Sequence, residues 1–145
     1  MPTTITEFTL GYYDEVFSLW ERTPGICIRD ADSREAIARY LTRNPGLSFV
    51  AINEKRIIGS ALSGHDGRRG YLQHVAVETA FRGKGIAQLL VSHCIEALAA
   101  AGIAKTHLEV LASNDLANQY WVRRGWKRRD DIHRYSFTRR GNENA

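Results

Sequence analysis

The chain has 145 residues, 43% of them hydrophobic and 25% charged, with twenty Lys and Arg against sixteen Asp and Glu for a formal net charge of +4. That length predicts a single domain over residues 1–145, able to bury roughly 68–70% of its unfolded surface without a disulfide or metal staple. The composition excludes a disordered or fibrous protein, and no apolar run approaches the ~18 residues of a membrane span. The first residues, Met1-Pro2-Thr3-Thr4-Ile5-Thr6-Glu7, lack the basic-then-apolar pattern of a signal peptide. The expectation is a soluble, cytoplasmic chain with no membrane contact. Two cysteines are too few for a disulfide framework or a zinc site. Cys94 sits in an apolar helical stretch and reads as a reduced core residue; Cys27 lies in a loop between two isoleucines.

Residues 4–9 alternate like a short strand. Residues 12–22 read as a helix, with Tyr13, Val16, Phe17 and Trp20 at helical spacing, stopped by Thr23-Pro24-Gly25. A loop with Asp30 and Asp32 follows, whose carboxylates are candidates to pair with a cationic amine, although Asp32 is equally explained as a cap. Asp32, with Glu35 three residues on, resembles a capping box for a second helix that holds Ala36, Ile37, Tyr40 and Leu41 and ends at Asn44-Pro45-Gly46. The period then changes. Residues 48–52 and 56–63 read as strands around an Asn53-Glu54-Lys55 turn, and the three glycines of residues 64–70 make a second turn before a strand over 71–77.

The longest helix is expected over 85–101, closed by Gly102; a strand follows over 105–111, and a helix over 115–124 capped by Asn114 or Ser113 and closed by Gly125. Two last strands are expected near 126–129 and 133–138. The order β-α-α-β-β-β-α-β-α-β-β predicts an α+β fold, a three-layer α/β sandwich with helices on both faces of a mixed, mostly antiparallel sheet.

The segment from Val75 to Ala87, VAVETAFRGKGIA, runs an apolar strand into a glycine turn that opens a helix. The first N–H groups of a helix lack internal partners and carry partial positive charge. Glycines let those groups approach a ligand, and Arg82 and Lys84 add two formal charges, so the turn reads as a phosphate cradle. A Walker loop needs Ser or Thr after Lys84, where this chain has Gly85; a dinucleotide fingerprint needs glycine at position 88, where it has Gln88.

The run Arg82-x-x-Gly85-x-Ala87 resembles the acetyl-coenzyme A signature of the GNAT superfamily of N-acetyltransferases. Val75-Ala76-Val77 resembles that family's fourth strand; Glu109-Val110-Leu111-Ala112-Ser113-Asn114, then Ala117 and Gly125-Trp126, is similar to its second half-motif. The element order matches as well. The resemblance implies a GNAT-like fold and acetyl transfer from acetyl-coenzyme A to a small-molecule or peptidyl primary amine, by direct attack in a ternary complex, with coenzyme A as product. It implies that Arg82, Gly83, Lys84, Gly85, Ile86 and Ala87 hold the pyrophosphate. Strands four and five would splay apart, so that Val75 and Val77, with Ala76 between them, offer free backbone groups to the pantetheine arm, and an N–H near Val77 would steady the oxyanion. Asn114 would contact that arm, cap its helix, or do both.

An amine acceptor must lose a proton before it attacks. Similarity to the ribosomal-protein acetyltransferases of the superfamily implies Glu109 as base; Glu109 reads equally as a polar residue facing solvent. The acid Tyr usual seven residues after the Asn is replaced here by Trp121, whose indole is no practical proton donor. Tyr120 is the adjacent candidate acid, although one residue turns a helix by about 100°. Trp121 is then a candidate for shaping the substrate pocket, with Tyr71 and Gln73 on the acceptor side. His74 reads as a hydrogen-bonded core or surface histidine or as a second base. His65, His93, His107 and His133 lack metal-ligand spacing, so no metal is expected.

Eight Lys and Arg between Arg123 and Arg140 face only Asp130 and Asp131. The patch reads as a solvated face of a terminal hairpin, with nucleic-acid binding a lesser alternative. A non-catalytic acyl-coenzyme A binder is the nearer alternative. The edge of the hairpin offers a surface for a homodimer.

Overall fold

A computed structural model describes residues 2–145 in two compact units, residues 2–108 and 109–145. The first unit holds β1 (Thr4–Glu7), α1 (Tyr13–Glu21), α2 (Arg34–Arg43), β2 (Phe49–Asn53), β3 (Arg56–His65), β4 (Gly70–Val77), α3 (Ile86–Ala100) and β5 (Thr106–Leu108). The five strands form one sheet in chain order. Neighbours from β1 to β4 are antiparallel, and β4 pairs with β5 in parallel. Glu54 and Lys55 take φ of 50° and 65° in the tight turn between β2 and β3, as a two-residue hairpin requires.

Residues Ile57 to Gly64 of β3 are buried without alternation, the pattern of a strand covered on both faces. One face carries α1, which packs on β3 and β4. There Phe8, Tyr13, Val16, Leu19 and Trp20 meet Ile37, Val50 and Leu62, and the Trp20 indole donates to the Ser60 hydroxyl at 3.0 Å. α3 packs on β2, β3 and β4, burying Ile86, Leu90, Cys94 and Leu98, one residue per turn. Burial pushes the Cys94 thiol up to about 11, so it is a core thiol and no nucleophile. Helices thus lie on both faces of a mixed sheet, as expected.

The sheet is irregular at one place. Leu62 faces Gln73 and Ser60 faces Ala76, so Ala61 stands opposite both His74 and Val75. This is a β-bulge, and His74 sits on it at φ 48°.

The second unit holds α4 (Asp115–Arg123). The Asn114 side chain accepts from the Ala117 N–H at 3.2 Å, and Gly125 follows at φ 91°. Three expectations are corrected. The fifth strand ends at Leu108 rather than residue 111, so Glu109 lies beyond it. The strands expected near 126–129 and 133–138 are not formed. Tyr135 and Phe137 alternate in sequence yet are 89% and 93% exposed. Alternation assigns residues to two faces, but a strand exists only where a neighbour completes the ladder. The cap of α2 is Ser33, whose hydroxyl accepts from Ala36 N–H at 3.1 Å; Asp32 is used elsewhere.

Candidate active site

β4 outruns its parallel partner. β5 pairs only with Gly70, Tyr71 and Leu72, so the remaining five residues of β4 have no second strand among the described residues. The direction of their backbone groups follows from register. Glu78 N–H donates to the Ile58 carbonyl at 2.7 Å, toward β3. Backbone groups alternate along an antiparallel strand, so Ala76 also faces β3, paired with Ser60, while Val77 turns its own to the open edge, as does the Val75 carbonyl, which lies trans to the Ala76 N–H across one peptide plane. The Val77 carbonyl on that edge accepts from Arg82 Nε at 3.3 Å. Ala76 contributes a buried methyl to the core under α1.

Past Val77 the chain makes a single 3₁₀ turn, Thr79–Phe81, and enters α3 through Arg82-Gly83-Lys84-Gly85. Gly83 and Gly85 both take φ of 78°, which an L side chain adopts only with strain. A Cβ at either would meet no atom within 4 Å, so the turn stands open. No side chain caps α3, so its first N–H groups, at Ile86 and Ala87, are free to meet an anion. Buried Ile86 anchors that end of the helix. The Lys84 ammonium lies 5.6 Å from the Phe81 ring centre. Arg22, at the end of α1, grips Glu78 at 2.6 Å and holds the corner where β4 ends. The guanidinium keeps the Glu78 carboxyl below the ordinary range.

On the face under α1, His74 Nε2 meets Asp32 Oδ1 at 2.8 Å, and the His74 ring stands edge-on to Trp20 with centroids 4.8 Å apart. Asp32 also accepts from Arg29 N–H at 2.9 Å, and Tyr13 donates its hydroxyl to the Asp32 carbonyl at 2.6 Å. Burial pushes the Asp32 carboxyl up, but the His74 and Arg29 hydrogen bonds outweigh it and hold the carboxyl below its ordinary range. This pair is the feature that sequence reading missed. Asp32 looked like a helix cap, and no sequence signal places it against β4. Of the expected acceptor residues, Tyr71 packs against His107 at 5.9 Å and Gln73 is exposed just before the bulge. Asp30 lies in the same 3₁₀ turn as Asp32.

In the second unit the Glu109 carboxylate is engaged by Arg134 at 2.7 Å. The Trp121 ring lies 5.2 Å from Tyr120 and 5.3 Å from Trp126, in edge contacts, and the Arg124 guanidinium lies 5.1 Å from the Tyr120 ring centre. Asn114 is committed to its cap. Of the basic residues in the C-terminal stretch, Arg128 pairs with Asp130 and Arg129 with Asp131, both at 2.9 Å.

The model of the acetyltransferase (GNAT) family matches residues 13–126. An acetyltransferase of Pectobacterium atrosepticum is 38% identical over 104 residues, covering 71% of this chain and 72% of the relative. One from Photorhabdus laumondii is 36% identical over 115 residues, 77% of each. Among solved structures, the PaiA N-acetyltransferase of Thermoplasma acidophilum in complex with coenzyme A superposes with a TM-score of 0.77 at 17% identity, over 91% of this chain and 94% of that one. The aminoglycoside N-acetyltransferase AAC(6')-Iy in complex with coenzyme A gives 0.76 at 17% identity, over 94% and 95%. An open-edged strand that feeds an uncapped glycine turn is thus set in a sheet shared with these structures, and the chain belongs to the acetyltransferase (GNAT) family.

Proposed function

We propose that this acetyltransferase moves an acetyl group from acetyl-coenzyme A to a primary amine, small or peptidyl, by direct attack in a ternary complex. The observation that carries the reading is the continuity of β4 into the glycine turn: outward backbone groups at Val75 and Val77, then a turn with two left-handed glycines, then the uncapped start of α3. The residues fit the cofactor. A pyrophosphate needs several converging N–H donors and positive charge; residues 83–87 supply the donors, and Arg82 and Lys84 the charge. An extended pantetheine arm needs strand-like partners, and Val75 and Val77 present them. The Val77 N–H is the donor for the oxyanion that develops on the thioester carbonyl, a contribution of roughly 2.7–4 kcal/mol in comparable sites. The coenzyme A complexes of PaiA and AAC(6')-Iy support the choice of cofactor. The family match across residues 13–126 supports reading 1–145 as one N-acetyltransferase domain. Asn114, Tyr120 and Trp121 remain assigned to cofactor contact, candidate acid and acceptor pocket by the resemblance alone.

The experiment is thermal unfolding with and without acetyl-coenzyme A, followed by thiol release with spermidine, kanamycin and an Ala-initiated peptide. Cofactor at about 100 times its dissociation constant adds about 2.7 kcal/mol, a rise of about 5–10 °C for a chain of this size. No rise overturns the reading. A rise without thiol release from any amine indicates a binding module.

A further inference from the structure

Acetyl transfer to an amine needs a proton acceptor, and the inference here rests on the reading just given. We propose that the Asp32–His74 pair is that acceptor: the imidazole of His74 takes the proton of the incoming ammonium at Nδ1 while Asp32 holds Nε2–H. The bulge in β4 re-aims the residue it carries, and this one is His74 at φ 48°. Gly or Asn would hold such backbone more cheaply. The Asp32 side chain is 9% exposed and the imidazole 21%, so the carboxylate is shielded and the ring is reachable. Trp20 fixes the ring from the side. With Nε2 on Asp32, Nδ1 has no hydrogen-bond partner among the described residues.

The groups around the imidazole are few. Asp32 is the charge it meets; Tyr13 presents a hydroxyl committed to the Asp32 carbonyl, Arg29 a backbone N–H to the same carboxylate, and Trp20 and Ser60 do not titrate. A shielded carboxylate that fixes the tautomer and stabilises the imidazolium is the division of labour of a carboxylate–histidine pair in a hydrolase. Glu109, by contrast, is 61% exposed and already occupied by Arg134.

His74 lies three residues before Val77, about 10 Å along the strand, so an amine approaching a carbonyl held at Val77 is within reach through the ring or one water. The step balances. One ammonium proton goes to Nδ1 and then to solvent; the nitrogen lone pair forms the N–C bond; the C–S bond breaks; and a second nitrogen proton neutralises the thiolate.

The test uses the full chain with 15N-labelled histidine and the variants Asp32→Asn and His74→Asn, since asparagine tolerates the left-handed backbone. Acetyl-coenzyme A stabilisation, which reads the cradle alone, should be the same in all three proteins. In the wild type, the ring nitrogens of neutral His74 should report the Nε2–H tautomer. Asp32→Asn, which removes the carboxylate that accepts Nε2–H, should take away the preference of the neutral ring for that tautomer. With an amine from the panel above, His74→Asn should lower kcat about 100-fold or more while KM for acetyl-coenzyme A stays within about threefold. Asp32→Asn should lower kcat about tenfold or more with KM for acetyl-coenzyme A again within about threefold.

A neutral His74 in the Nδ1–H tautomer, or a tautomer indifferent to Asp32→Asn, overturns the proposal without any acceptor. So does His74→Asn with the wild-type kcat and pH limb and only a lowered Tm, which is the outcome of a structural pair. Should His74→Asn fail to fold, the tautomer and the kcat of Asp32→Asn decide. Absence of cofactor stabilisation in the wild type overturns the underlying reading instead.

Discussion

Tyr40 carries its hydroxyl into the interior between α2 and the end of β3, where that oxygen is buried and finds no hydrogen-bond partner. Burial raises its pKa, so it is a neutral, unsatisfied hydroxyl. Removing an orphaned group returns its desolvation cost, and Tyr40→Phe should leave stability unchanged or raise it by about 1 kcal/mol in urea unfolding. Asp32 is the opposite case. Its folded pKa is depressed, so its contribution is complete above the unfolded value near ~3.9 and drains away as pH falls through the lower folded value. Asp32→Asn should cost about 1–3 kcal/mol at pH 7 and flatten the loss of stability that the wild type shows below about pH 4. At this scale the sequence was a fair guide to identities and a poor one to partners. Cys94, Trp20 and Asn114 are core, core and cap as their patterns imply. Asp32 and His74 are 42 residues apart, and only the folded bulge brings them together.

Among the elements, the caps and glycine stops carry the clearest consequences. Ser33 and Asn114 each hold one otherwise free N–H at a helix start, and either Ser→Ala or Asn→Ala should cost about 1 kcal/mol. Gly85→Val forces a branched side chain onto φ 78°, although its Cβ would meet no atom within 4 Å. Its penalty is backbone strain of about 1–2 kcal/mol, and the turn should relax away from its left-handed form. Acetyl-coenzyme A affinity should then fall at least tenfold by calorimetry, far more than the modest drop in Tm suggests. The glycine turn was legible because its conformation is demanded by residue type. The C-terminal strands were misread because Trp126, Tyr135 and Phe137 satisfy a local pattern whose completion depends on a distant partner.

For the whole molecule, period and punctuation sufficed to place every helix and the first five strands within a few residues, and with them the sheet's mixed character. The resemblance implied that strands four and five splay apart; what stayed hidden is that their pairing ends at Leu72. Neither chain length nor hydropathy reports where one strand parts from another, yet that ending exposes the edge on which the proposed chemistry rests.

The strands also stand in space in the order in which they are translated. Each new strand docks on the one made just before it, with α3 laid across the sheet before β5 arrives. β1 waits through α1 and α2 for β2, but from there each strand meets its partner across a short turn until the last crossover, so the edges of β2 and β3 are covered almost as soon as they appear. A growing chain built this way can consolidate its sheet on the ribosome, and it spends little time in the half-paired states from which aggregates start.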